Sequence, residues 1–488
     1  MAIGSMSSCG GPTTARLSII FVLICALYFT RDFWLPVTPA VPVLHHTTPS
    51  KETSDATSDA TPETPSIPQD TTIYTPHDED CKSVPGADKV MVILKTGATE
   101  IYEKLPTHFV TLFRCTPHFL IFSDLAQSYS DYTIHDAIEP VSPKYKDSHE
   151  DFELYRKMQE YQREGQDMSK LKGDKGWNLD KWKFLPMLHK TYELSPDTID
   201  WFVYIEADTS LSWTNLLQWL KTMDPRKEYY LGAQNVIGDT TFGHGGSGTA
   251  ISRAAAEKFY NARLDMGAKK FDAKWEKLTG ESCCGDEVVA RALKAEADIP
   301  LTPAWPLFQG EKMNTIDWTA THWCTPPLTM HHVTAIEVDA QWQFHQQWVE
   351  DHGWNTPYLY RDLYASLVAR HVTKPRKSWN NLSQSTKFID ASQHPGAEQK
   401  EGDEWDRLED WEKESVKSFD ACRDVCERKG KDDCVQWMWE PGRCYLDREV
   451  RMGNTDEREE DHWMSGWVQE RVKGLHEDIE PCTVNWHG

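Results

Sequence analysis

Four apolar runs of strand length, set apart by polar or helix-patterned chain, constrain this sequence more than any other feature. They lie at 89–95 (KVMVILK), 118–123 (HFLIFS), 201–205 (WFVYI) and 228–232 (EYYLG). Helical patterning fills 180–192 (DKWKFLPMLHKTY) and 213–221 (WTNLLQWLK). A strand that is apolar on both faces must be covered on both sides, and intervening helices supply that cover. The alternation predicts an α/β domain around a mostly parallel sheet flanked by helices. In such sheets ligands sit at the carboxyl ends of the strands. The chemistry is therefore expected directly after each run.

Four motifs occupy such places. In WFVYIEADTS (201–210) an apolar strand runs into Glu206 and Asp208. Residues i and i+2 of a strand share a face, so two hard oxygen ligands could hold Mn²⁺ or Mg²⁺ against a diphosphate. Taken alone, an acidic pair after a strand is more often a solvated turn or helix cap. In GHGGSGTAISRAA (243–255), Gly245 and Gly246 permit close approach of backbone to a ligand. The spacing is neither a P-loop nor a dinucleotide fingerprint, and a tight turn is the plainer reading. In CCGDEVVARAL (283–293), Asp286 and Glu287 open a helical pattern. They serve either as a cap that suits the helix dipole or as a general base for a hydroxyl. In LTMHHVTAIEV (328–338), His331 or His332 is a third metal ligand or a satisfied core residue.

Composition narrows the partners. The chain has 488 residues, with 52 Lys and Arg against 76 Asp and Glu, a net charge of −24. The length fits about two or three domains. The acidic balance excludes nucleic acid as a partner, because phosphate binding there needs clustered cations. A phosphate-bearing small ligand stays open, since a metal ion can supply local positive charge. Twelve cysteines without zinc-type spacing suit disulfides in an oxidising compartment.

The ends of the chain divide as follows. Residues 17–29 (LSIIFVLICALYF) form an apolar run behind Arg16 and ahead of Arg31 and Asp32. The expectation is a cytoplasmic tail at 1–16 and an uncleaved type II signal-anchor at 17–35; a cleaved signal peptide, giving a secreted protein, is the rival. Residues 36–80 read as a Pro/Ser/Thr-rich stem. A main domain is expected at 81–375 and a polar linker at 376–412, carrying an N-glycosylation sequon at Asn381. A cysteine-rich module follows at 413–488.

Taken in order, strand–ExD, GGSG, GDE and HH resemble the Fringe-like β-1,3-glycosyltransferases of glycosyltransferase family 31, in their fungal membrane-anchored branch. Residues 95–124 are similar to that family's opening strand–helix–strand, and GWNLDKWKFLPML (176–188) to the helix before its metal-binding strand. The resemblance covers roughly residues 85–345 and implies a GT-A nucleotide-sugar fold. It also implies a divalent metal, a UDP-sugar donor, a glycan or glycoprotein acceptor, inverting transfer and a Golgi membrane location. By the same resemblance, Glu206, Asp208 and His331 or His332 hold the metal, although Ala207 replaces the family's middle acid. Thr96, Gly97, Asp124, Asp180, Gly245 and Gly246 meet the nucleotide-sugar, and Asp286 or Glu287 supplies the base.

The segment KSFDACRDVCERKGKDDCVQWMWEPGRCYL resembles a PAN/Apple module, a small disulfide-rich α+β unit. That likeness implies pairings Cys422–Cys444 and Cys426–Cys434. Cys81–Cys115 and Cys284–Cys324 are expected alongside them. An inactive GT-A-fold protein that binds a glycan or a partner is the alternative function. A hydrolase with two acids about 5–10 Å apart fits the strand–ExD pattern less well.

Overall fold

Every residue of β1 (Val90–Lys95) is buried, and its side chains alternate between two cores. Val90, Val92 and Leu94 enter one core, Met91 and Ile93 the other. The neighbouring strand β5 (Trp201–Glu206) divides its side chains the same way, with Trp201, Val203 and Ile205 opposite Phe202 and Tyr204. This period-two division is what near-continuous apolar runs require, because each pleat face meets its own layer of helices. The helices Ile101–Val110 and Trp213–Leu220 supply one layer. Phe184–Leu194, Arg253–Met266 and Gly285–Ala297 supply the other.

The computed structural model describes residues 81–395, 402, 404–430, 432–458, 462–477 and 479–486. The signal-anchor expected at 17–35 and the stem at 36–80 lie outside the described residues. Among the described residues no helix is long and apolar enough to cross a membrane.

Besides β1 and β5, the main sheet contains β2 (His118–Ser123), β3 (Gln127–Tyr129), β4 (Tyr132–Asp136), β7 (Tyr230–Gly232), β10 (Thr249–Ser252) and β11 (Thr302–Pro303). Their order is β11-β7-β10-β5-β1-β2-β4-β3 in one eight-stranded sheet. β1 runs parallel to both β2 and β5, so all three end at one edge, with Lys95 in register with Phe122 and Glu206. Thr96, Asp124 and Asp208 therefore emerge side by side.

The C-terminal region is disulfide-rich. Here β13 (Arg376–Lys377), β15 (Thr386–Ile389), β16 (Gln436–Glu440), β17 (Arg443–Asp447) and β19 (Met464–Trp467) form a five-stranded sheet. The helix Phe419–Lys429 packs on it through Cys422–Cys444 and Cys426–Cys434, as expected from the sequence. Cys81–Cys115 also forms as expected.

Three expectations are corrected. Cys284 does not pair with Cys324. Cys284 bonds its neighbour Cys283, and Cys324 bonds Cys482. The tail returns to residue 324, where the Asn485 N–H donates to the Cys324 carbonyl at 3.0 Å. Residues 376–412 are not a plain linker, since 376–389 supply two strands of the C-terminal sheet. Those strands are held by backbone hydrogen bonds, which polar composition does not reveal. The described residues accordingly form one unit, with Trp318 and Tyr360 sharing a core with Val435, Val450 and Trp467.

The third correction concerns Asn381, which is 0% exposed. Its amide Nδ2 donates to the carbonyls of Trp437 at 3.1 Å and Gly466 at 3.4 Å. A glycan on that nitrogen would replace one of its two hydrogens, removing one of these bonds, and need room that the core lacks. Mass spectrometry of a glycosidase-treated peptide is expected to show residue 381 unmodified. Asn381→Ala is expected to lower unfolding stability by about 1–3 kcal/mol, because it orphans buried carbonyls.

Candidate functional site

The parallel edge of β1, β2 and β5 opens into a cleft of about 610 Å³. Its metal-competent group is Asp208, His331 and His332, whose ligand atoms all lie within 4.8 Å of one another. Two short strands bring them together. Ser210–Leu211 (β6) pairs antiparallel with Thr329–Met330 (β12), and the Val333 N–H donates to the Asp208 carbonyl at 3.0 Å. His331 is buried, with Nε2 3.5 Å from Asp208 Oδ1. Its Nδ1 is buried with no hydrogen-bond partner, the state expected of a side chain whose partner is a ligand. His332 is exposed and holds a left-handed backbone (φ 59°). That conformation is strained for a residue with a Cβ, and such strain concentrates at functional positions.

These donors fit a divalent cation. Metal–ligand bonds of about 2.1 Å set opposite ligands about 4.2 Å apart, close to the spread observed. Two imidazoles with one carboxylate suit a transition-metal dication better than the harder Mg²⁺. Gly246 is required by the same packing. A Cβ there would lie 2.2 Å from His331 Cε1, and the Gly246 carbonyl accepts from Thr209 Oγ1 at 2.8 Å.

Glu206, expected among the ligands, stands outside this group. The strand ends at Glu206, so the shared-face argument does not reach residue 208. Its Oε1 pairs instead with Lys95 Nζ at 3.0 Å. Lys95 also bonds Asp180, and Lys183 pairs with Asp180 at 3.0 Å and Asp124 at 3.2 Å. Lys183 Nζ further donates to the Thr96 carbonyl at 2.9 Å, and Asp124 Oδ1 accepts from the Ala98 N–H at 2.7 Å. Thr96, Gly97, Asp124 and Asp180 are thus gathered in the cleft by two buried lysines. Burial works against the charge on Lys95, but Asp180 and Glu206 outweigh it and hold the ammonium above its usual value. Burial likewise works against the Asp208 carboxylate. Hydrogen bonding from His331 and the charge of Lys104, 3.2 Å away, outweigh it and keep Asp208 ionised well below the usual range.

Asp286 and Glu287 separate clearly. Asp286 lines the cleft, where Oδ2 accepts from the Gly245 N–H and Oδ1 from the Glu287 N–H, both at 2.9 Å. Burial raises its carboxyl above the ordinary value, and His244 and the backbone donors only partly offset that. Glu287 is buried away from the cleft, accepting from Ser282 Oγ at 2.7 Å and pairing with Arg291 Nε at 2.6 Å. It anchors the helix. Phe184 packs where Cβ atoms on Gly245 and Gly285 would fall, 2.8 Å and 2.4 Å away.

Sequence reasoning missed Lys95, Lys183, Lys104 and His244. Lys95 closes an apolar strand, and Lys183 sits between Trp182 and Phe184. A cation inside an apolar pattern is the available signal. His244 had none apart from standing next to the glycine loop. No protein-family model and no curated protein matches this chain.

Proposed function

We propose that this chain is an inverting, divalent-metal-dependent glycosyltransferase with a GT-A fold. It transfers a hexose or N-acetylhexosamine from a UDP-sugar to a glycan or glycoprotein, in β-1,3 linkage. In this reading it is a Golgi type II membrane protein whose catalytic region is lumenal. The observation that carries the reading is a single cleft holding both the Asp208–His331–His332 group and Asp286, a half-buried carboxylate oriented by two backbone donors.

A metal ion held by Asp208, His331 and His332 would neutralise charge on a diphosphate leaving group. Lys95 and Lys183 hold the edge of the cleft beside Thr96, with their charge matched by Asp180, Glu206 and Asp124. Asp286 has the attributes of a general base. It faces the cleft, it is oriented by two backbone donors, and burial raises its proton affinity towards that needed near neutral pH. It would take the proton of an acceptor hydroxyl as that oxygen attacks the anomeric carbon from the face opposite the leaving group. One displacement inverts the stereochemistry.

The test is UDP release by the full chain from a panel of UDP-sugars, with Mn²⁺ and with EDTA. Release from one donor, abolished by EDTA, is the expected result. Absence of release together with absence of metal-dependent UDP binding by calorimetry would overturn the reading.

A further inference from the structure

A second groove, of about 470 Å³, runs along the seam between the main body and the C-terminal sheet. Its size falls within the about 300–1,000 Å³ of ligand sites. Trp305, Gln309, Asp317 and His322 line it from the body. Asn380, Gln384, Lys387 and Tyr445 line it from the C-terminal side. The seam is fixed. The Trp318 N–H donates to the Val450 carbonyl at 2.9 Å, the Gly453 N–H to the Asn314 carbonyl at 2.7 Å, and Cys324–Cys482 ties the tail to the body.

This groove adjoins the metal cleft through residues 309–311. The Gln309 N–H donates to Thr329 Oγ1 at 3.1 Å, and Thr329 Oγ1 donates to the Ser247 carbonyl at 2.6 Å. A Cβ on Gly310 would lie 2.9 Å from Ser247 Oγ and 3.5 Å from His244 Nδ1. Glu311 lines the groove, and His244 and His332 line the cleft on the other side of Gly310.

Three observations define what the groove would hold. Trp305 keeps 39% of its surface exposed although it stands edge-on to buried His322, with ring centroids 5.3 Å apart. An exposed indole offers an apolar platform to the C–H face of a sugar ring. Polar side chains converge beside it: His322 Nε2 lies 3.0 Å from Gln309 Nε2 and His322 Nδ1 3.7 Å from the Asp317 carboxylate, groups of the kind that orient sugar hydroxyls. The charges balance, Glu311 and Asp317 against Lys387 and Arg451, which disfavours a strongly ionic ligand. The wall is also held under strain, since Ser378 (φ 49°) and Leu382 (φ 64°) both adopt left-handed backbone around the buried Asn381.

The geometry points to a saccharide subsite. The seam groove binds a neutral oligosaccharide, which continues past residues 309–311 with its reacting end in the metal cleft. The C-terminal region thereby contributes one wall of the acceptor site. Treating the bound sugar as the acceptor rests on the transferase reading; binding in the groove does not.

The experiment measures binding by the full chain, without donor, to neutral tetrasaccharides of glucose, galactose, mannose and N-acetylglucosamine. At least one is expected to bind more tightly than its monosaccharide. Trp305→Ala is expected to weaken that binding by at least about 10-fold, the loss of one stacked ring. Lys277→Ala, on the exposed face of the helix Ala268–Glu281 and lining neither cleft, is expected to change it by less than about twofold. Gln384→Ala, with an intact circular dichroism spectrum, serves as a second variant should Trp305→Ala fail to fold, and is expected to weaken binding by about threefold or more. No preference for any tetrasaccharide, or wild-type binding by folded variants, would overturn the subsite. Trp305-dependent binding without UDP release from any donor would support the groove while removing the transferase reading.

Discussion

Asp286→Asn is expected to lower kcat by about 10²–10⁴-fold, the usual contribution of a positioned general base. Donor KM should move little, because the lysine network and the metal group stay intact. The sign of the pH dependence follows from the raised Asp286 carboxyl. A base works ionised, so wild-type kcat/KM should rise with pH through that raised value and fall below it. The acid limb should therefore lie above the range of an ordinary exposed carboxylate, and Asp286→Asn should abolish it. In the folded state the raised value also means that ionised Asp286 opposes stability. That contribution favours the fold below the carboxyl's unfolded value and is lost as pH rises through the folded one. Glu287→Gln provides the contrast. It disrupts the contacts with Arg291 and Ser282, so it should lower the unfolding midpoint while leaving the acid limb of the rate profile in place. A reversal of these two patterns would move the base to Glu287.

Gly246→Ala removes no functional group, yet it is expected to reduce metal-dependent turnover by about 100-fold. The added methyl would sit 2.2 Å from a ring carbon of His331. His331 is buried and cannot swing aside, so the imidazole must shift relative to Asp208. A misplacement of about 1 Å costs about 10²-fold in a positioned site. The measurement is a Mn²⁺ titration of activity, in which Gly246→Ala should need much more metal for half-maximal rate. Gly474→Ala, inside the helix Gln469–Glu477 with open space around it, is the comparison and should leave the titration unchanged. An unchanged metal requirement in Gly246→Ala would mean that His331 does not hold the ion.

Much of this site could be read from the chain. Thr96, Asp124 and Asp208 follow apolar runs, and parallel strands end at one edge, so sequence position translated directly into spatial position. The glycine at 246 and the carboxylate at 286 were legible as types of chemistry but not as neighbours. Their meeting depends on the Gly245 N–H reaching Asp286 across a sequence separation of 41 residues. Glu206 misled because the period of two holds only while the strand lasts, and the strand ends there. Lys95 and Lys183 were invisible because a lysine is read as a surface residue until partners such as Asp180, Glu206 and Asp124 are seen around it.

By itself the sequence determined the α/β layering and the strand edge where chemistry gathers. Both follow from periodicity, a short-range property. Only the tertiary structure decided that His331 and His332 join Asp208, that Asp286 and not Glu287 faces the cleft, and that Cys324 pairs with Cys482. It also decided that Asn381 is buried in the core and that residues 376–389 close a second groove as part of the C-terminal sheet. Each of these depends on contacts between segments far apart in the chain. No local propensity encodes such contacts, because they are set by how whole helices and sheets pack.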